Sequence, residues 1–543
     1  MRRLLWAFVH LLIASGADAQ TFDWVRTAGP IAFDAGMGLA RSPAGDLYAA
    51  GLFSDVLSFG DTTLVSPGGW RSFLVKLSSS GEPLWARQFD PVEPDVALVA
   101  TNDAVYLAGS FTGSIRIDAT SLTSAGATDV VVARFDPAGH LIWAKRSGGT
   151  LTDLAGALAL DATGNLILTG GFRGSANFGG IVLSSAGGED AFVTRMTSMG
   201  TTDWARRLGA AQDQFGSGIE GTGDGGYVVA GSFHGTFPIG GSTLVSAGDA
   251  DVWVARFSSA GAAQWATSAG GVGEEFPYGF SAGADGSSAI TGFFLGAAAF
   301  GSTTLVSSGD RDAFVARLGA DGSFAWSDRA GGTGLDNGLA ASLDSSGRLT
   351  ITGFFSGNAD FQGRTLTSEG TRDLFVATYA SSGSLEWVLQ AGGAGADGAS
   401  RVLHDALGRV YLSGSIDQTA HFGGIDVPAE GTTLFLARLI DPLSQLEPAP
   451  PGVANAFPGA GYAWPNPSSG GSITVALAKG EVCGATLLLF DATGRRHGSL
   501  SPRSAVSPRA VMYTLPSALP AGEYFLYNPE SRQRVGGPLA VIR

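Results

Sequence analysis

One strand-like heptapeptide is written five times at a fixed interval. "DVVVARF" begins at Asp129, "DAFVTRM" at Asp190, "DVWVARF" at Asp251, "DAFVARL" at Asp312 and "DLFVATY" at Asp373, each 61 residues after the last. Self-similarity at a fixed period marks a repeat architecture, and it limits the fold before any local propensity is weighed. Two further anchors keep the same step. Tryptophan recurs at Trp24, Trp85, Trp143, Trp204, Trp265, Trp326 and Trp387, with intervals of 61, 58, 61, 61, 61 and 61. A glycine ahead of an aromatic or small pair recurs at Gly51, Gly109, Gly170, Gly231, Gly292, Gly353 and Gly414. The heptapeptide also has degenerate first and last versions, "FLVKL" from Phe73 and "FLARL" from Phe435, so all three anchors count seven.

Within one period the pattern predicts four strands: "GALALDA", "NLILTGGF", "DAFVTRM" and "DWARRL" in the stretch 153–208. Asp161 to Asn165 supplies a tight turn between the first two. The longer stretch between the second and third has room for a small hairpin. With 82 glycines in 543 residues, long helices are excluded and an all-β chain is expected. Four short antiparallel strands cannot cover two apolar faces by themselves, whereas radial stacking of the copies covers both. The chain meets its first tryptophan strand, "FDWVRTAG", with no repeat before it, and its last repeat lacks one after "LFLARLI". The expected architecture is therefore a seven-bladed β-propeller over 20–440, closed by an N-terminal strand.

The motif "GG", an acid, an "A-L-x-D-x-x-G" turn, "TG" with an aromatic, and "DAFV-R" resembles the seven-bladed β-propeller repeats known as SBBP repeats. The resemblance covers about 21–440. Arg71 and Thr433 stand where the five aspartates would, and tryptophan stands where many such repeats carry another aromatic.

The first residues read "MRRLLWAFVHLLIASGADAQ", with a basic start, a short apolar run and a small-x-small site. This is a signal-peptide pattern over 1–19, with cleavage expected between Ala19 and Gln20. No later segment is long and apolar enough for a transmembrane helix. Cys483 is the only cysteine, so no internal disulfide can form. The net charge of −15 speaks against a nucleic-acid partner, since phosphate attraction needs clustered lysine and arginine.

A Pro/Ala/Gly-rich linker is expected over 441–461, and alternating strands return over 462–543, as in a small Ig-like β-sandwich. "WPNPSSG" with Pro465, Asn466 and Pro467, "LLFDATGRR" with Asp491 and Gly494, and "LPAGEYFLY" with Gly522 and Tyr524 resemble the C-terminal type A sorting domain of the type IX secretion system. The resemblance implies secretion, or display on the outer-membrane surface of a Gram-negative bacterium, with that secretion machinery as partner.

Ten residues after each tryptophan stand Asp34, Asp95, Asp153, Gln214, Glu275, Asp336 and Asp397, with Asp213 beside the exception. With Asp129, Asp190, Asp251, Asp312 and Asp373 they are expected at loops on one side of the repeat, as an acidic face able to attract cations. The competing structural role is acceptance of backbone N–H groups at turns. Calcium is the cation such a face would take, although no D-x-D-x-D-G loop is present. A basic set, Lys76, Arg134, Arg195, Arg256, Arg317 and Arg438, is expected to pair with acids or to cover aromatic rings. The histidines share no position in the period, and no HExxH, GxSxG, nucleotide loop or CxxC occurs. The expected role is non-catalytic binding of an extracellular glycan or protein, or scaffolding, by a monomer without a cofactor. The alternative is an extracellular hydrolase or lyase acting on a surface polymer.

Overall fold

The computed structural model describes residues 20–29, 38–93, 96–405 and 407–440, together with eight strands between 463 and 541. It is all-β, and no helix occurs among the described residues. The signal-peptide region, the 441–461 segment, Ala19, Asp34, Asp95, Pro465, Asn466, Pro467 and Gly494 lie outside them. The chain divides into two compact units, Met1–Ile440 and Asp441–Arg543.

In the first unit the strands follow the period. Asp153–Leu160, Leu166–Phe178, Ile181–Met196 and Thr202–Leu208 pair in order, each antiparallel to the next. The same path runs through Gln214–Gly221, Tyr227–Phe233, Asp251–Phe257 and Ala263–Gly271, and again 61 residues later. The turn after the first strand forms because Asp161 Oδ1 accepts N–H bonds from Thr163 (2.8 Å) and Asn165 (2.9 Å). Gly164 follows at φ +81°, in the left-handed region that favours glycine. Between the second and third strands a hairpin projects, for example Ala297–Phe300 with Thr303–Val306. Its buried side chains are Ala298, Phe300 and Leu305.

Each sheet is apolar on both faces. Along Asp251–Phe257, Val252 and Val254 pack with Ile290, Phe294 and Phe314 of the following period. Trp253 and Ala255, on the opposite face, pack with Ala159, Ile167 and Val193 of the preceding one. Side chains alternate across a strand, so the central strand serves two cores at once. The double glycine of the motif ties one period to the next. Gly270 and Gly271 pair with Ala299 and Ala298 of the following hairpin. A Cβ on Gly271 would sit 1.9 Å from Ala297 O, and one on Gly332 would sit 1.7 Å from Asn358 O, so only glycine admits this contact.

Thr21–Ala28 does not pair with its sequence neighbours. It lies antiparallel to Thr433–Ile440, with Trp24 opposite Arg438, and completes the four-strand set of Gly398–His404 and Val410–Ile416. One core cluster joins Trp24, Tyr411, Leu434 and Leu436 to Leu47, Ala49, Phe73 and Val75. No sheet closes on itself among the described residues.

The second unit has two four-stranded antiparallel sheets. One contains Ala463–Trp464, Ser472–Ala476, Ala510–Thr514 and Pro502–Ser507. The other contains Arg496–Leu500, Leu487–Asp491, Gly522–Asn528 and Gln533–Val541. Asp491, Gly522 and Tyr524 fall on strands of the second sheet.

Trp24 is buried and Trp70 is 40% exposed. Trp24→Ala is expected to lower stability by about 3–5 kcal/mol, and Trp70→Ala by less than about 0.5 kcal/mol. Urea unfolding followed by far-UV circular dichroism checks both.

Candidate functional site

The first strands of successive periods converge on a cavity of about 840 Å³. Its wall runs from Phe215, Phe276, Asn337 and Gly398 at one end to Glu220, Ser281, Ser342 and Leu403 at the other. Small residues such as Gly156, Gly218, Gly279 and Ala340 let the strands approach one another here. A Cβ on Gly218 would meet Phe280 Cβ at 2.3 Å, and one on Gly156 would meet Gly216 O at 2.0 Å.

The expected acidic face is not on the surface. Asp153, Glu275, Asp336 and Asp397 are at most 1% exposed, and Asp129, Asp190, Asp251, Asp312 and Asp373 at most 3%. The loops that carry them are covered by the neighbouring period, which takes the carboxylates out of solvent. Among the described residues of this set, only Asp213 retains a half-exposed side chain, near Arg173 at 3.5 Å. The buried acids accept backbone N–H bonds from four residues upstream. Gly149, Gly271, Gly332 and Gly393 donate to Asp153 (2.6 Å), Glu275 (2.7 Å), Asp336 (2.7 Å) and Asp397 (2.7 Å). Ala125, Ala186, Ala247, Ser308 and Glu369 donate to the strand-leading aspartates at 2.8–3.1 Å. Burial is the largest cause that pushes the carboxyls of Asp153, Asp251, Asp336 and Asp397 up to about 6 and that of Glu275 up to about 7.

These groups suit calcium poorly. Each accepts at least one backbone N–H, and calcium takes six to eight oxygens, more than one pair of these carboxyl groups presents. Among the described residues no group of three or more His, Cys, Asp or Glu side chains gathers as a metal site.

The basic set behaves as its periodicity suggests. Lys76, Arg134, Arg195 and Arg256 pair with turn acids Asp46 (2.8 Å), Asp103 (3.1 Å), Asp161 (2.7 Å) and Asp224 (2.9 Å). Arg317 donates to Ser287 Oγ at 2.9 Å, and Arg438 pairs with Asp23. Lys76 lies over the Tyr48 ring at 5.6 Å and Arg134 over the Tyr106 ring at 5.6 Å. His404, the most enclosed of the described histidines, bonds Ser342 Oγ through Nδ1 and Thr350 Oγ1 through Nε2, each at 3.0 Å. Burial lowers its pKa to about 4, so it is neutral at pH 7.

Other features in and beside the cavity break the repeat. The residue before the strand-leading aspartate is Thr128, Glu189 or Ala250 in three periods but Arg311 and Arg372 in two. Arg311 lies over Phe293 at 4.2 Å and Arg372 over Phe354 at 4.4 Å. Beside them Phe276 and Tyr278 are 4.9 Å apart between ring centroids, and Tyr278 is 42% exposed. This end of the cavity therefore carries an aromatic arc on one side and Glu189, Asp213 and His234 on another. At the far end, burial pushes the Glu220 carboxyl up to about 7, although its side chain still opens on the cavity. A second cavity of about 270 Å³, beside Arg26 and Glu82, holds an exposed ion pair and no comparable arc. The sequence signal for the arc was a departure from the repeat, visible only once the repeats are aligned.

No protein-family model and no curated protein matches the chain. Among solved structures it is similar to a puromycin hydrolase, at 10% identity and TM-score 0.33, over 70% of this chain and 58% of that one. It is similar to a GH43 endo-arabinanase from Bacillus licheniformis, at 12% and 0.25, over 54% and 97%. It is also similar to a phage phi92 endosialidase, at 10% and 0.35, over 96% and 87%. The chain thus spans less than two thirds of the puromycin hydrolase. At these scores the likenesses carry no argument about what the chain does.

A Cβ on Gly392, at φ +149°, would lie 2.9 Å from Asp373 Oδ1 and 2.8 Å from Asp397 Oδ2, whereas nothing lies within 4 Å of Gly408 at φ +75°. Gly408→Ala is expected to cost about 1 kcal/mol from backbone strain alone, and Gly392→Ala more than about 3 kcal/mol. Paired urea-unfolding curves measure the difference.

Proposed function

We propose that the first unit is a seven-bladed β-propeller closed by its N-terminal strand, and that it binds an extracellular glycan or protein at the aromatic end of its central cavity without catalysis. The second unit is proposed to be a sorting domain that carries it through the type IX secretion machinery after loss of 1–19. Several contacts support closure. Trp85, Trp143, Trp265 and Trp326 each donate from Nε1 to a carbonyl in the next period's turn, at 2.8–3.1 Å. Trp387 has Gln20 in that place: with its amide oriented to satisfy both ends, Gln20 accepts from Trp387 Nε1 and donates to Ile440 O, each at 3.1 Å. Arg134 and Arg256 reach a carbonyl 64 residues on, whereas Arg438 reaches back to Ser79 O at 2.7 Å. The core cluster shared by the first and last sheets supports the same arrangement.

The observation that carries the binding reading is the pair of arginine-on-phenylalanine stacks at equivalent places in adjacent periods, beside Phe276 and Tyr278. Rings and guanidinium planes on a rigid rim are pre-ordered, so little conformational entropy is lost when a ligand docks. The rest of the wall offers polar groups for orientation, among them Asn337, Ser400 and Glu189.

The enzyme reading has one observation in its favour, the raised carboxyl of Glu220 on the cavity wall, which is the kind of group a general acid needs. A screen of the full-length chain against glycan and surface-polymer arrays separates the two. Binding is expected without change to the polymer, and the double variant R311A/R372A is expected to weaken it about tenfold or more. Polymer cleavage that Glu220→Gln abolishes would establish the enzyme instead. Binding that the arginine variants leave untouched would remove the site.

A further inference from the structure

Buried carboxylates normally have every oxygen satisfied; Asp153, Asp336 and Asp397 do, but the strand-leading aspartates of this repeat do not. The Oδ1 atoms of Asp129, Asp190, Asp251, Asp312 and Asp373 are buried without a hydrogen-bond partner among the described residues, and so is Glu275 Oε1. An orphaned carboxylate oxygen out of water loses its full solvation without recompense, and here the defect is written in period after period. Four of these aspartates stand beside a second buried acid. The missing Cβ of Gly148 would lie 2.7 Å from Asp129 Oδ1 and 2.8 Å from Asp153 Oδ2, so both carboxyl groups rest on one glycine. Gly331 and Gly392 seat Asp312 with Asp336 and Asp373 with Asp397 in the same way.

A third fact concerns charge. Where the second acid would stand in the fourth period, the chain has Gln214, whose Oε1 takes the equivalent N–H bond, from Ala210 at 2.6 Å. Glutamine has the shape and neutrality of a protonated glutamic acid. The place therefore accepts a side chain that carries no charge; its Nε2 donates to His234 O at 3.5 Å, so Asp190 Oδ1 stays orphaned in this period.

We propose that each pair, Asp129–Asp153, Asp251–Glu275, Asp312–Asp336 and Asp373–Asp397, holds one proton between its carboxyl groups in the folded chain, which fills the orphaned oxygen. The device is most exposed at Asp251–Glu275. Arg146 and Arg329 stand 2.5 and 2.6 Å from Asp129 and Asp312, and Gln390 donates to Asp373 at 2.8 Å. The equivalent residue for Asp251 is Ser268. Here two oxygens are orphaned, Asp251 Oδ1 and Glu275 Oε1, and Glu275 N donates to Ala250 O at 2.8 Å, which sets the second acid against the strand that Asp251 leads. The charged groups around this pair are His234, bonded to Asp249 at 3.2 Å, and Glu274, 3.8 Å from Arg311.

The direction of the pH effect follows. Both carboxyls of the pair are raised in the folded chain, to about 6 and about 7. Their stabilisation is complete below the unfolded values and is lost as the pH climbs through the folded ones, as a coupled pair rather than as two separate residues. His404 runs the other way, since its folded pKa is lowered, and its contribution fades as the pH falls towards 4. Comparison of variants that share His404 cancels it.

The test is urea unfolding of the full-length chain at pH 5, 6, 7 and 8, with Glu275→Gln, Asp251→Asn and, as a variant at a different pair, Asp397→Asn. Each single variant is expected to keep the wild-type midpoint at pH 5 and to exceed it at pH 8, with the pH slope reduced by about one proton. Adding Asp251→Asn to Glu275→Gln is expected to reduce the slope no further. Infrared spectra of the folded wild type at pH 6 should show a protonated-carboxyl band, weaker in Glu275→Gln. If Glu275→Gln does not fold, Asp397→Asn and the wild-type band decide. Equal midpoint shifts at every pH, absence of the band, or a wild-type midpoint at pH 8 that millimolar calcium raises and Glu275→Gln abolishes would overturn the proposal.

Discussion

A sheet with two apolar faces cannot stand alone, and that constraint governs the first unit. Val252 and Val254 look one way and Trp253 and Ala255 the other, so the strand Asp251–Phe257 has a core on each side. An arrangement of such sheets in a row would leave one face bare at each end, a loss of several buried aromatic side chains worth about 1.5–3 kcal/mol each. In the closed ring proposed above, the cluster that joins Phe73 and Val75 to Leu434 and Leu436 covers both of those faces together. The strand Thr21–Ala28 serves the same end at the hydrogen-bond level, because it occupies an edge of Thr433–Ile440 that would otherwise present unpaired N–H and C=O groups. With no cysteine in the unit to form a disulfide, the mutual covering of faces carries much of its stability.

Much of this could be read from the letters. The four strands of a period, the tight turn at Asp161 and the hairpin between second and third strands follow from alternation and from turn residues, which are local signals. The pairing of arginines with turn acids was legible for the same reason, since both partners recur in step. The acids were harder. Asp at the edge of a strand looks the same in sequence whether the loop faces water or is covered by the next period, and only tertiary packing makes that choice. The double glycine held the clue. Gly148 and Gly149 have no use for their flexibility in an open loop, but they are required where two carboxyl groups and the hairpin carbonyl of Ser175 crowd one stretch of backbone.

Repetition and its failures therefore carry different information. A residue that recurs in every period serves a need every period has, such as a turn, a cap or a face to cover. Trp143 is of this kind, and Asp153 and Gly148 nearly so, with Gln214 and Asp90 at their places in other periods; each is consumed by contacts to its neighbours. A residue that departs from its copies answers a local need. Arg311 and Arg372 replace small or acidic residues, and both sit on phenylalanines, Arg372 and Phe354 on the cavity wall. Glu220 stands where the following periods have Ser281 and Ser342, and it faces the same space.

The separation of the two classes in space has a physical basis. The inner strands are bound to their neighbours by backbone pairing, by glycine contacts and by the buried acids, none of which needs the side chains that point into the cavity. Those side chains are free to vary without loosening the sheets. Stability rests on groups that repeat, and in the proposed binding function recognition rests on groups that break the repeat, so a single period can acquire an arginine or a glutamate while its strands stay in register. An aromatic arc confined to one sector is what such freedom produces, and a uniform rim of identical residues would have been the sign of a structural role.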